Sequence, residues 1–156
     1  MTETPASVKD LHDRRATVRA AAVKALGVSG GAGAIPVLIE ALADEHAHVR
    51  TEAARALGKT GDAEAGPSLI RLLCDRETVV RLSAMVALGK IKDRSAVEPL
   101  IGCLHDRDMQ VRVGAIETLA ALGDIRAITP LRLLLSDKFS DVRESAQRAI
   151  AKISKG

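Results

Sequence analysis

The stretch from Asp44 to Gly58 reads DEHAHVRTEAARALG, and its central Val49-Arg50 pair recurs along the chain. Each of the five Val-Arg pairs lies 31 residues after the previous one, and an Asp precedes every Arg by six positions. A fixed period of this length is typical of a solenoid built from stacked repeats. The residues of these two columns are Asp13, Arg19, Asp44, Arg50, Asp75, Arg81, Asp106, Arg112, Asp137 and Arg143.

Apolar residues follow each Val at regular helical spacing, as in Val49, Ala53, Ala56 and Leu57. Residues at this spacing share one face of an amphipathic helix. The sequence therefore predicts five long helices, which we term the A helices, at about 15–28, 46–59, 77–90, 108–121 and 139–153.

A second set of helices, which we term the B helices, is predicted between the A helices. Leucines recur with the same period in two columns that begin at Leu38 and Leu42, and a proline stands near each helix start. Proline is tolerated there because the first-turn N–H groups have no partner within the helix. The predicted B helices are 33–43, 64–74, 95–105 and 126–136, and a B-type half repeat at 5–13 is expected to open the chain.

Composition narrows the class of protein. Hydrophobic residues make up 47% of the chain, which is enough for a continuous core, and the net charge of +3 favours no particular partner. The first ten residues lack the pattern of a secretory signal, and no apolar run approaches the roughly 20 residues of a membrane span. A cytoplasmic protein without membrane association is therefore expected.

The repeated unit combines the Asp and Val-Arg columns with Ala-Leu-Gly, a Gly-Asp turn and Pro-Leu in the following helix. From about Pro5 to Ile153 it resembles the HEAT-like repeat of the phycobilisome-lyase type. The resemblance implies an all-α fold, a right-handed α-solenoid of about five 31-residue helix pairs (about ten helices), in a single domain spanning residues 1–156. Proteins with this repeat include bilin lyase subunits, a di-iron hydroxylase and interaction scaffolds, so the fold does not decide the function.

The Asp and Arg columns, which we term the Asp–Arg ladder, are interpreted as structural. Each Arg lies near the start of an A helix and is expected to reach the Asp in the preceding turn, while stacked copies connect the repeats. An Arg fork matches the geometry of a carboxylate. The alternative interpretation of these columns is a binding site for phosphate or carboxylate ligands.

No catalytic, cofactor-binding or metal site is predicted. Two of the four histidines, His46 and His48, share a turn, which supplies too few ligands for a metal ion. The His-Glu pairs of the di-iron relatives are missing from this sequence. Cys74 and Cys103 form neither a CxxC motif nor a disulfide framework, and they are interpreted as incidental or buried thiols.

The positions that the repeat leaves free on the A helices form the predicted binding surface. In the resembled family this surface is the inner, concave face, where partners bind. Its middle is apolar in this sequence, and an exposed apolar cluster on a polar protein marks an interaction surface. The predicted partner-binding residues are Val79, Leu82, Val86, Met109, Val113, His48, Arg55, Lys59 and Lys90.

These patterns predict a non-catalytic scaffold that binds another protein, with self-association as an alternative use of the apolar cluster. One rival function is that of a bilin lyase or lyase subunit, although one Phe and no Trp or Tyr offer little for a tetrapyrrole pocket. The second rival is nucleic-acid binding. It is disfavoured because aromatic stacking platforms are missing and five Arg belong to the ladder.

Overall fold

In a computed structural model, which describes residues 8–29 and 31–155, five long helices carry the Val-Arg pairs. Their predicted positions are confirmed to within two residues at each end. Every element of the described residues is an α-helix or a 3₁₀-helix, as expected for an all-α solenoid. The A helices are α1 (Ala16–Ser29), α3 (Ala47–Thr60), α5 (Thr78–Ile91), α7 (Met109–Leu122) and α9 (Ser140–Lys155).

The B helices are shorter than predicted because each begins with a separate 3₁₀ turn, and two of them also end in one. Asp62, Asp93 and Asp124 cap three of these turns, each accepting a hydrogen bond of 2.9–3.0 Å from the backbone N–H two residues later. Such caps satisfy donors that have no partner within the helix. The α-helical parts are α2 (Ile35–Ala41), α4 (Gly66–Arg71), α6 (Val97–Cys103) and α8 (Ile128–Leu133).

The start of the chain adds one further helical turn, a 3₁₀-helix at Val8–His12 that packs against α1. It coincides with the predicted half repeat at 5–13, of which residues 5–7 lie outside the described part of the chain. No helix among the described residues is long and apolar enough to cross a membrane.

The core runs continuously through the stack, between the A and B layers. Leucines of both layers are fully buried, including Leu38 and Leu69 from B helices and Leu57 and Leu88 from A helices. Burying a leucine side chain contributes roughly 1.5–3 kcal/mol, so these repeating columns supply most of the stabilisation. Because the same columns recur in each repeat, every helix pair buries its apolar face against the next.

The A helices α1, α3 and α5 approach one another very closely near their C-terminal ends. A Cβ atom added to Gly58 of α3 would lie 2.8 Å from the Cα of Ala87 in α5, and one added to Gly27 would lie 2.5 Å from the Cβ of Ala56. Glycine is therefore required at both positions by the neighbouring backbone. The B helices of adjacent repeats contact one another less, largely through their 3₁₀ turns.

Candidate functional site

Each Arg of the Asp–Arg ladder joins two consecutive repeats. Arg50 donates hydrogen bonds of 2.8 and 2.9 Å to the two carboxylate oxygens of Asp75, which lies in the next repeat. Its remaining nitrogen donates to the backbone carbonyls of Asp44 and Glu45, at 2.8 and 3.0 Å, in its own repeat. Arg19 and Arg112 repeat this pattern with the Asp residues 25 positions later.

This geometry corrects the expectation that each Arg pairs with the Asp carboxylate of its own preceding turn. That turn supplies only backbone carbonyls. The Asp44 carboxylate instead accepts the backbone N–H of His46 at 2.8 Å and the side chain of Arg19 from the previous repeat. The capping bond orients the carboxylate toward the previous repeat and away from Arg50.

The pair between Arg81 and Asp106 is looser than the others. Arg81 Nε lies 3.3 Å from an Asp106 oxygen but makes no hydrogen bond, and the Nη2–Oδ1 contact is 3.5 Å. Arg81 Nη2 instead donates to the Thr78 hydroxyl at 3.1 Å, which in turn donates to Asp108 at 2.9 Å. Thr78 thus draws the guanidinium partly away from its ladder partner.

The two ends of the ladder differ. At the start, Asp13 has no Arg from a preceding repeat, and Arg15 donates to both of its carboxylate oxygens instead. These bonds lower the pKa of Asp13 to about 2. At the other end, Arg143 retains the bonds to the backbone carbonyls of Asp137 and Lys138. No carboxylate within the described residues pairs with Arg143.

Inside the ladder, burial and the hydrogen bonds to the carboxylates shift the pKa of the Asp residues in opposite directions. Burial alone would raise the pKa of Asp75, but the hydrogen bonds from Arg50 and from the Glu77 backbone N–H outweigh it and lower the pKa. The same balance lowers the pKa of Asp44. Because the Arg50 and Asp75 side chains are each only 8% exposed, this pair offers no surface to a ligand.

A groove of about 700 Å³ lies between α5 and α7 on the exposed side of the A helices. It brings together five of the predicted partner-binding residues, all from these two neighbouring helices. Its wall is largely apolar, and Val86 is 55% exposed within it. The five residues are Leu82, Val86, Lys90, Met109 and Val113.

The groove coincides with a change in the contact between neighbouring A helices. Where α3 and α5 carry Ala56 and Ala87 against the glycine of the preceding helix, α7 carries the larger Thr118. A Cβ added to Gly89 would lie 3.4 Å from the Thr118 methyl group, an ordinary contact distance. Thr118 therefore holds α7 further from α5. The departure from alanine at Thr118 is the signal in the sequence that marks the position of the groove.

The other four predicted residues lie elsewhere. Arg55 and Lys59 line a separate groove between α1 and α3, together with Lys24 and Glu52. Val79 and His48 are exposed near the starts of α5 and α3, and neither lines the groove between α5 and α7 or the one between α1 and α3.

The assumption that the repeat leaves these A-helix positions free is wrong for part of the surface. Ala20 and Thr51, which occupy the same column as Leu82, are only 2% and 3% exposed, and Ser83 of the next column is also buried. The close approach of the A helices turns these columns toward the neighbouring helix. Leu82 itself is half-buried, packs against the core and lies over Gly114.

A third groove, on the B-helix side, brings Cys74 and Cys103 together with His105. Sequence reasoning did not anticipate that the two cysteines would line one groove. Burial raises the pKa of the Cys103 thiol to about 11. A thiol with that pKa stays protonated at neutral pH and is a poor nucleophile.

Metal ligands do not gather in the described part of the chain. No three His, Cys, Asp or Glu side chains of residues 8–29 and 31–155 are placed to hold a metal ion.

Comparisons with known proteins place this geometry among helical repeat proteins. The sequence profile of the HEAT repeats matches residues 4–87 and 66–151. A chain of the CpcE–CpcF complex of phycocyanin lyase from Nostoc sp. PCC7120 is 29% identical, with a TM-score of 0.84 over 100% of this chain and 67% of that one. None of the curated proteins matches the sequence significantly.

Two further solved structures have the same architecture. A designed armadillo repeat protein in complex with the peptide (KR)4 is 25% identical, with a TM-score of 0.73, and 94% of this chain and 80% of that one are covered. The YibA protein of Escherichia coli is 29% identical with a TM-score of 0.73, and 94% of this chain and 52% of that one are covered.

Proposed function

Because this chain belongs to the HEAT repeat family, we propose that it is a non-catalytic scaffold that binds a segment of another protein along its A helices. The observation that carries the proposal is the apolar groove between α5 and α7. Val86 stands exposed in this groove, in a column that is otherwise filled by the charged residues Lys24, Arg55, Glu117 and Arg148.

The spacing of the two layers supports the choice of the A-helix side as the concave face. The A helices pack directly on one another, and α1, α3 and α5 do so with glycine against alanine, whereas the B helices of adjacent repeats touch less. A stack whose layers differ in spacing curves toward the closer layer, and the curvature creates an extended concave binding surface. A similar helical repeat protein of designed sequence binds a peptide.

The size of the groove suits a small number of apolar anchors. Burying one leucine-sized side chain contributes roughly 1.5–3 kcal/mol. Two anchors placed between α5 and α7 therefore contribute roughly 3–6 kcal/mol, a large share of the about 8 kcal/mol that a micromolar interaction requires.

A second candidate function is that of a bilin lyase subunit, and the likeness to the phycocyanin lyase chain favours it. In that case the groove would accept a tetrapyrrole, and incubation of the purified protein with bilin would change the absorbance spectrum of the pigment. An unchanged spectrum would leave the scaffold function in place. The cytoplasmic location expected from the sequence remains a prediction.

The scaffold proposal is tested by affinity capture from the source lysate with a charge placed in the groove. Val86→Glu is the suitable variant because its column tolerates charge in the other repeats, whereas Leu82→Glu would also disturb the core. The control is Ile125→Glu, which changes an apolar residue that is more exposed than Val86, in the 3₁₀ turn before α8.

Val86→Glu should weaken capture of the partner roughly tenfold or more while leaving the melting temperature nearly unchanged. Ile125→Glu should capture the partner as the unaltered protein does. If both variants bind equally well, the groove is not the binding site. If Val86→Glu abolishes only self-association, the partner is a second copy of the chain.

A further inference from the structure

The charged residues of the A-helix surface are distributed unevenly along the stack. In the groove between α1 and α3, the three cations Lys24, Arg55 and Lys59 face a single carboxylate, Glu52. Arg55 donates to Glu52 at 2.8 Å, and the Glu52 side chain is 14% exposed. The ion pair with Glu52 neutralises Arg55, and the positive charges of Lys24 and Lys59 remain.

The basic surface continues toward the apolar groove. Lys90 lies 31 residues after Lys59, in the same column, and lines the edge of the groove between α5 and α7. Lys24, Lys59 and Lys90 are exposed, and none pairs with a carboxylate of the described residues within 4.0 Å. The helix dipole accounts for lysines in the last turns of α3 and α5. It does not account for Lys24, which lies in the middle of α1.

The other carboxylates of this surface lie toward the opposite end. Glu117, Asp141 and Glu144 belong to α7 and α9, where Arg148 lies 3.9 Å from Glu144 and Lys152 is also exposed. The surface formed by α1, α3 and the end of α5 is therefore positive, next to an apolar groove, and beyond the groove the charges are mixed. A partner that matches this order carries its negative charges on only one side of its apolar residues.

We propose that the partner is a segment that carries carboxylates on one side of its apolar anchors. The carboxylates lie over Lys24, Lys59 and Lys90, and the anchors enter the groove between α5 and α7. This inference rests on the proposed scaffold function, since it names the partner of the same surface. Opposite charges at the rim of an interface fix the register and accelerate association.

The geometry sets the length of the segment. Packed helices lie 8–10 Å apart, so the centre of the basic groove and the centre of the apolar groove, two repeats away, are separated by roughly 20 Å. An extended chain advances about 3.3 Å per residue. About six residues therefore separate the carboxylates from the anchors.

The test is a selection from a random 16-residue peptide library displayed on phage, with the whole chain as the target. Selected peptides should carry Asp or Glu on one side of two apolar residues, about six positions away. Their binding should weaken as salt rises from about 50 to about 200 mM, because screening reduces attraction between exposed charges. Two protein variants then separate the contribution of the charges to binding from that of the apolar groove.

The double variant Lys24→Glu with Lys59→Glu should bind the selected peptides about tenfold more weakly, and Arg71→Glu with Arg132→Glu is its matched control. The control pair changes the same charge on exposed positions of B helices and should leave binding unchanged. Apolar peptides without acidic bias, whose binding Val86→Glu abolishes, would overturn this inference and leave the scaffold function intact. Enrichment of basic peptides would also overturn it. Absence of any peptide that depends on Val86 would overturn both proposals.

Discussion

Arg50 donates two hydrogen bonds to the carboxylate of Asp75, across the boundary between two repeats. Arg50 also donates to two backbone carbonyls of its own repeat, so one side chain fixes the turn before α3 and the turn before α5. This arrangement makes the ladder a connection between repeats rather than a series of separate caps.

The first prediction follows from the burial of this pair. Arg50→Ala should lower the free energy of unfolding by about 1.5–3 kcal/mol, the range for hydrogen bonds to buried charged groups. Arg55→Ala, which removes an arginine that is 56% exposed, should cost about 0–1 kcal/mol. The loss of unfolding free energy in Arg81→Ala should lie between these two values, because the Arg81 Nε makes no hydrogen bond. Equal urea midpoints for all three variants would remove the structural interpretation of the ladder.

The second prediction concerns acid. The ladder residues Asp44, Asp75 and Asp137 have pKa values lowered in the folded state, below the value of about 3.9 in an unfolded chain. Below about pH 4 the unfolded chain therefore binds more protons than the folded chain, and stability falls as the pH falls. Unfolding free energies should be nearly constant between about pH 5 and 7 and decrease toward pH 3.

The Asp75→Asn variant isolates the contribution of the Asp75 charge to the pH dependence of stability. The difference in unfolding free energy between the unaltered protein and the variant should shrink between about pH 5 and 3. Over this range the Asp75 carboxylate is progressively protonated in the unfolded chain, whereas its lowered pKa keeps it ionised in the folded one. A difference that stays constant over this range would show that the charge of Asp75 does not stabilise the fold.

The third prediction uses two helical glycines with opposite surroundings. Alanine normally stabilises a helix relative to glycine by roughly 0.5–1 kcal/mol. Gly58→Ala should instead destabilise the protein by about 1–3 kcal/mol, because the new Cβ meets the backbone of Ala87. Gly102→Ala, in α6, meets nothing within 4 Å and should be stabilising. Thermal unfolding of both variants shows whether each change stabilises or destabilises the protein. Stabilisation by Gly58→Ala would contradict the close approach of α3 and α5.

The fourth prediction concerns the end of α5. Lys92 has a φ of 56°, at the position where the other repeats carry Gly61 and Gly123. A left-handed conformation costs a residue with a Cβ roughly 1–2 kcal/mol, part of which is offset by the greater flexibility of glycine when unfolded. Lys92→Gly should therefore stabilise the chain by about 0.5–1 kcal/mol. The reverse change, Gly61→Lys, should destabilise it by a similar amount in the same chemical denaturation assay.

The helices and their order could be predicted because the period repeats every side-chain environment. Valine recurs at the position of Val49 in each repeat, and leucine recurs at that of Leu57 in all but the last, which has Ile150. A helix end that is ambiguous in one repeat can therefore be placed from the others. The direction in which Arg50 donates was not predictable in the same way. A strict period fixes which residues share a column, but it leaves open which of two neighbouring repeats a long side chain reaches.

The candidate groove depends on a departure from the period, which is why the sequence located its residues only in part. Leu82, Val86 and Met109 were identified by their apolar character. The spacing that opens the groove depends on Thr118 in a column of alanines, together with the close packing that buries Ala20 and Thr51. These effects arise from helix separations, which the pattern of polar and apolar residues does not encode.

The direction of the ladder has a consequence for changes in chain length. Each interior unit of 31 residues supplies one guanidinium for the unit ahead and one carboxylate for the unit behind. A duplicated unit inserted in register would therefore find both partners in place and would leave no buried ion without its counter-ion. An insertion of any other length within a repeat would separate a guanidinium from its carboxylate. Whole-unit duplication and deletion are thus the length changes that this architecture tolerates best.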